Sequence, residues 1–545
     1  MNELVFIPPS REKTLLSLKK DVTFDLLVIG GGATGCGTAL DAATRGLSVA
    51  LVEQGDFAEG TSGRSTKLLH GGVRYLESAV KHLDRVQYHL VRDGLRERGI
   101  LLRIAPHLSR SISLVTPLYK WTDVPYVFAG LKLYDIMAGS MSIGHSHLIS
   151  RSKALKSFPM LQSKGLRAGV SYFDGQFNDA RMAVSLALTA IKHGAVAVNH
   201  VKAVDLIKEQ GRISGAALVD SLTGDQWVVR SRAVVNATGP FADTIRMLDS
   251  PEVQPMLTVS SGTHLVLDKR FSPPDTGLLI PKTEDGRVLF VMPWEGNTLV
   301  GTTDEPAELA VHPRPHEEEI DYLVHHVCKY FDLQFSRSDI RAAWSGLRPL
   351  VSDPGKADTA KLSRDHVLEE SAAGLLTIAG GKWTTYRKMA SDTVDYAVKR
   401  FNLHQERGCI TESVRLHGSE KFNPHGDTVI ADTCELDPVL ARHLNTTYGD
   451  QALSVCQLAQ EGLGNTLAED YPSLEAEVLW AVRNEMACRA IDVLARRTPL
   501  ALLNTDAARA AVPRTIQIMA AELGWDPERC REEESWVAER LSNGI

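Results

Sequence analysis

Two short stretches bring together residue types suited to holding a cofactor and an anion. Residues 61–76, TSGRSTKLLHGGVRYL, set small hydroxyls and glycines around Arg64, Lys67, His70 and Arg74. Earlier in the chain, Gly30-Gly31-Gly32-Ala33-Thr34-Gly35 satisfies the spacing G-x-G-x-x-G. In such a turn Gly30 permits the tight passage from strand to helix, Gly32 lets the backbone approach a pyrophosphate, and Gly35 allows the helix to pack on the strand. The N–H groups and positive dipole end of the helix then face the phosphates. Glu53, 21 residues after Gly32, sits where an acid accepts hydrogen bonds from an adenosine ribose and repels a 2′-phosphate, which disfavours NADP. The turn alone leaves NAD and FAD both open.

The elements needed to position these residues follow in order. FDLLVIG (24–30) is an apolar run of the buried parallel-strand type, CGTALDAATR (36–45) is a helical stretch ending at Gly46, and SVALVE (48–53) is a second strand. Much later, AVVNATGP (233–240) and GLLTIAGGKWTTYRKMA (374–390) are strands running into small-residue turns. Strands that return to one sheet from hundreds of residues away favour a two-domain FAD fold, with a second domain inserted between its segments. From about residue 255 the chain reads as antiparallel hairpins, with turn signals at Glu284-Asp285-Gly286 and Glu295-Gly296-Asn297, as a substrate-binding sheet would. Beyond about 405 the pattern is helical and alanine-rich.

Composition sets outer bounds. A chain of 545 residues, 43% hydrophobic and 23% charged, is long enough for two or three domains with full cores. A net charge of −7 offers no basic face for nucleic acid, so any anion site is local. The seven cysteines form no C-x-x-C pair, which argues against a zinc site, an iron-sulfur cluster or a disulfide scaffold and points to a reducing compartment. No metal-ligand spacing occurs. Pro8-Pro9 and neighbouring charges interrupt the stretch where a signal peptide would need an apolar run, and no apolar run reaches the ~18 residues of a spanning helix. Residues 114–138, rich in aromatic side chains, suit either a buried core or an interfacial surface.

With the glycine turn, GTSGRSTKLLHGGVRYL, VVNATGP, WSGLRPL and GGKWTTYRKMA in order, the chain closely resembles the FAD-dependent glycerol-3-phosphate dehydrogenase family from about residue 8 to 405. PPSRE and the length resemble its mitochondrial-type branch. The resemblance implies an α/β Rossmann fold of the glutathione-reductase and D-amino-acid-oxidase type with an antiparallel substrate sheet and a helical C-terminal domain. The expected organisation is an N-terminal arm (1–23), an oxidoreductase region (24–405) and the C-terminal domain (406–545). Within the oxidoreductase region the cofactor segments run over about 24–115, 170–250 and 345–405, and the substrate segments over about 116–169 and 251–344. For the C-terminal domain a cap or a homodimer contact is the default expectation.

The resemblance further implies oxidation of sn-glycerol 3-phosphate to dihydroxyacetone phosphate, with electrons passing from FAD to a membrane quinone. The protein is then expected in the cytoplasm, peripheral on the inner face of the membrane. The family motifs place Arg348 and Lys382 at substrate and flavin, and Arg74 and Arg364 at the phosphate. His264 aligns with the family histidine and suits a general base; a core histidine is the alternative. Flavin contact is expected from Thr61, Ser62, Ser65, Thr66, Lys67, Gly71 and Gly72, from Ala237, Thr238 and Gly239, and from Gly380, Gly381 and Lys382. His70 is read as structural, and Cys36 as a packing residue. Gly63 departs from the family, which commonly has serine there, and tuning of activity is expected from the change. An oxidase using dioxygen, and an amine or amino-acid oxidase on the same fold, are the rival readings.

Overall fold

The computed structural model describes residues 6–72, 76, 84–352 and 365–543. Its first sheet has eight strands, six of them in the order His366–Glu370, Leu375–Gly380, Gln226–Asn236, Thr23–Ile29, Val49–Val52 and Val196–Val198. The four inner junctions along this path are parallel and the edge strand His366–Glu370 is antiparallel. Val201–Glu209 and Arg212–Asp220 extend Gln226–Asn236 as an antiparallel ribbon. Parallel strands need both faces covered, which explains why Val49–Val52 is buried at every position and Thr23–Ile29 is buried from Leu26 onward.

One covering layer is the helix Ala33–Thr44, packed between Asp179–Lys192 and Tyr386–Phe401. Its alanines and glycines permit the close approach. A Cβ on Gly37 would lie 2.6 Å from the Tyr386 ring, and one on Gly35 only 1.7 Å from the Gly30 carbonyl oxygen.

The second sheet has ten strands and is almost wholly antiparallel. Leu257–Leu267 is flanked by Ile340–Val351 and Asn297–Gly301, and the hairpins continue through Leu289–Trp294 and Thr276–Ile280 to Ser109–Leu118 and Ala168–Phe177. Both expected turns join paired strands. At the tighter one Glu295 and Gly296 both have positive φ, as a two-residue turn between twisted strands requires.

Three sequence expectations need correction. The segment boundaries at 115, 170 and 345 cut through strands of the second sheet, because Ser109–Leu118, Ala168–Phe177 and Ile340–Val351 all belong to it. Apolar alternation places a residue on a face but does not say which sheet the strand joins. Residues 114–138 are not one surface: after the end of Ser109–Leu118 comes the helix Asp123–Ala138, which buries Val124, Leu131 and Tyr134 while Trp121, Tyr126 and Ile136 stand exposed. Finally, the lack of a C-x-x-C pair does not keep the cysteines apart: Cys434 and Cys456 are brought together between helices Gly426–Cys434 and Ala452–Leu458, with Cα atoms 6.3 Å apart, a proximity made by helix packing and not visible in their 22-residue separation.

The C-terminal helices, from Gly426–Cys434 to Pro527–Ser542, do not stand apart. One apolar core unites Val478, Ile491, Leu494 and Met519 with Trp294, Trp344 and Met292 of the second sheet. The helices therefore back the sheet whose other face meets the cofactor region. No described helix is long and apolar enough to cross a membrane.

Candidate active site

Between the two sheets lies a cavity of about 2030 Å³. Its first wall is the glycine turn. Gly30 has φ +110°, and a Cβ there would lie 2.6 Å from the Ala237 carbonyl oxygen; a Cβ on Gly32 would press against Ser62 Oγ at 3.0 Å. Helix Ala33–Thr44 starts at Gly32, its Ala33 N–H donates to Ser62 Oγ at 2.9 Å, and Gly32, Ala33 and Thr34 line the cavity. The Glu53 carboxylate is held by two backbone N–H groups, Gly31 at 2.6 Å and Gly55 at 2.9 Å, and burial raises its pKa against the pull of those hydrogen bonds. A helix N-terminus on the cavity wall, a backbone without room for side chains and a fixed acid at the strand end fit a pyrophosphate with its adenosine ribose.

The second wall comes from the antiparallel sheet. His264 lies on Leu257–Leu267, opposite Trp344, with the two rings stacked 4.2 Å apart, and its Nε2 is 2.9 Å from Thr66 Oγ1. Burial first, then the positive charges of Arg348 and Lys67, hold its pKa well below the ordinary histidine value. The ring is therefore neutral at neutral pH. Arg348, on the neighbouring strand, donates to Ser261 O and Thr303 O at 2.9 Å each and to Thr302 Oγ1 at 3.1 Å, and pairs with Asp304 at 3.3 Å. Its guanidinium lies across Gly262, where a Cβ would come within 2.3 Å of it. Lys382 begins the turn after strand Leu375–Gly380 and lines the same cavity with Gly380 and Gly381.

The wider likeness matches this geometry. Residues 25–387 match the family described as FAD dependent oxidoreductase, and residues 409–530 match the C-terminal domain of alpha-glycerophosphate oxidase. The mitochondrial glycerol-3-phosphate dehydrogenase of Mus musculus is 48% identical over 540 residues, which span 96% of this chain and 74% of the mouse protein. The chain belongs to the FAD-dependent glycerol-3-phosphate dehydrogenase family. Among solved structures, a Bacillus halodurans glycerol-3-phosphate dehydrogenase complexed with FAD superposes with a TM-score of 0.80 at 30% identity, covering 98% of this chain and 97% of that one. The FAD-bound L-alpha-glycerophosphate oxidase of Mycoplasma pneumoniae shares the fold alone, with a TM-score of 0.55 at 17% identity over 71% of this chain. The cofactor of this dehydrogenase family member is FAD.

Most residues expected at the site line the cavity: Gly30, Gly32, Glu53, Thr61, Ser62, Ser65, Thr66, Gly72, Ala237, Thr238, Gly239, His264, Arg348, Gly380, Gly381 and Lys382. His70 lines it too. Three expected residues do not. Gly35 serves helix packing, as its contact with Gly30 shows. Gly71 is pressed against Leu95 and donates its N–H to the Tyr134 hydroxyl at 2.7 Å. Lys67 points away into a buried nest, 2.6 Å from Asp179 Oδ1 and 4.9 Å from the Trp344 ring centre. Arg74 and Arg364 lie outside the described residues.

Asp179, Trp344 and the Thr302–Asp304 segment were not anticipated. Asp179 receives the Ser65 hydroxyl at 2.7 Å as well as Lys67, so one carboxylate shapes the whole turn that follows Arg64. Nothing in FNDAR marks it, since its partners are more than a hundred residues away. The polar run TTDE directly after a strand was the available signal for the residues beside Arg348.

Proposed function

We propose that this protein oxidises sn-glycerol 3-phosphate to dihydroxyacetone phosphate, passing electrons through FAD to a membrane quinone. The observation that carries this reading is the pairing of a buried, neutral His264 with Arg348 and Lys382 on the cavity wall facing the dinucleotide turn. FAD, when bound, supplies the acceptor for the hydride from the substrate C2. The substrate-binding residues in this reading are Arg348, Lys382 and His264, with Arg74 and Arg364 assigned to the phosphate from the family motifs. A dianionic phosphate calls for several cations, and arginine offers paired donors. His264 takes the hydroxyl proton as general base, a task that suits a ring whose charged form is disfavoured. Thr66, bonded to its Nε2, orients the ring.

The names of the relatives support the substrate, and the exposed Trp121, Tyr126 and Ile136 on and beside helix Asp123–Ala138 support attachment to a membrane surface, in this reading its inner face. The cofactor region is assigned to the first sheet, the substrate region to the second, and the helices beyond residue 406 to a cap or dimer contact.

Anaerobic mixing of the yellow protein with glycerol 3-phosphate, glycerol and a D-amino acid in turn tests the reading. Bleaching of the visible flavin band by glycerol 3-phosphate alone is the expected result. Bleaching by the amino acid, or by none of the three, would reassign the pocket.

A further inference from the structure

The loop from Glu53 to Thr61 forms part of the cofactor wall. Glu53, Gly55, Ala58 and Gly60 line the cavity, and Ala58 sits at φ 64°, a region that a residue with a Cβ seldom adopts unless its surroundings impose it. Asp56 faces the other way and is fully buried. Its carboxylate takes Arg497 Nη1 at 2.6 Å and Nη2 at 2.9 Å, Arg496 Nε at 2.6 Å, and Asn199 Nδ2 at 2.9 Å. Both arginines belong to the C-terminal domain, and neither they nor Asp56 lines the cavity.

The connection continues inward and outward. Outward, Arg496 donates to Asp492 at 2.6 Å and Arg497 to the Glu485 carbonyl at 2.7 Å. Inward, the Asp56 N–H donates to Glu59 Oε2 at 2.9 Å, and the other Glu59 oxygen lies 3.5 Å from Arg540 Nη2. Asp56, His200 and Asp492 also bring ligand atoms within 4.8 Å of one another, but the guanidinium groups already occupy these carboxylates. Two arginines on one carboxylate make the arrangement mutual. Loop displacement would take from Arg497 its bidentate partner and from Arg496 one of its two carboxylates, and loss of the arginines would leave the buried Asp56 carboxylate with Asn199 as its remaining side-chain donor.

We propose that Arg496 and Arg497 of the C-terminal domain lock the 53–61 loop through Asp56, and that this lock sets how slowly FAD leaves the enzyme. In this scheme the three are positioning residues, acting on the cofactor through Glu53 and the backbone of Gly55. The C-terminal domain is then a cofactor-retaining element in addition to any cap or subunit contact it forms.

The test uses holoenzyme, diluted so that released FAD is followed by its gain in fluorescence. Asp56→Asn and Arg496→Gln are compared with wild type and with Arg483→Gln, whose pair with Glu522 lies on the exterior of the same domain. Release is expected to be about tenfold faster or more in the first two variants, a loss of roughly 1.4 kcal/mol per tenfold, and unchanged in Arg483→Gln. Wild-type release rates from Asp56→Asn and Arg496→Gln would overturn the proposal even if both melted at lower temperature. Equal acceleration in Arg483→Gln would also overturn it, because general loosening of the domain would then suffice. If the first two variants do not fold, Arg496→Lys and Arg540→Gln decide between the same outcomes.

Discussion

A histidine that must accept a proton from an alcohol works best when nothing else has charged it first. Burial and the nearby cations Arg348 and Lys67 keep His264 neutral, so its acid limb lies well below pH 6.5. The rate of flavin reduction by glycerol 3-phosphate, followed by stopped flow, should therefore stay level as pH falls from neutral through 6.5. A limb centred at the ordinary histidine value would assign the base elsewhere. Replacement by glutamine should slow reduction by roughly 10² to 10⁴, the usual worth of a general base, while substrate affinity changes little. At this scale much was legible in the sequence. Arg348 and Lys382 stood in motifs long enough to be specific, and His264 aligned with the family histidine. Trp344 opens the same WSGLRPL motif as Arg348, but its stacking on His264, like the anchoring of Ser65 by Asp179, is a property of the folded contact and leaves no local pattern.

Among the elements, the joint between Thr23–Ile29 and helix Ala33–Thr44 tolerates least. A methyl group on Gly35 would have to displace the Gly30 backbone, so Gly35→Ala is expected to destabilise by about 1–3 kcal/mol and to yield protein with less than one FAD per chain, read from the ratio of flavin to protein absorbance. The edge strand His366–Glu370 carries a second test. His366 is opposed by burial, but its bonds to Asp365 and Asp392 raise its pKa to about 9. Its stabilising contribution is complete below pH 6.5 and disappears as pH rises through about 9. Thermal melts should show a fall over that window that is shallower in His366→Gln. Helix Asp123–Ala138 predicts a different separation: Trp121→Ser with Ile136→Ser should weaken co-sedimentation with lipid vesicles and leave anaerobic flavin reduction intact. The hairpin turns were readable because glycine and asparagine mark them. The sheet to which Ser109–Leu118 belongs was not, since Leu114–Leu118 is buried at every position, as a strand of the parallel sheet is.

The whole molecule is organised around a cavity that two sheets share, so the cofactor contributes to holding them in place. Removing FAD should lower the melting temperature, and adding it back should restore the loss in proportion to the logarithm of its concentration. No change on FAD removal would mean that the sheets are fixed without it. The order of strands in the first sheet also has a consequence for the chain as it is made. Thr23–Ile29 is central, yet one of its two neighbours is Gln226–Asn236, and the next strand out, Leu375–Gly380, comes later still. At roughly 5–20 residues per second, about 10–40 s of translation separate the strand from that partner. During that interval an apolar edge is exposed on the ribosome, and its protection in the cell falls to chaperones and not to the protein's own later segments.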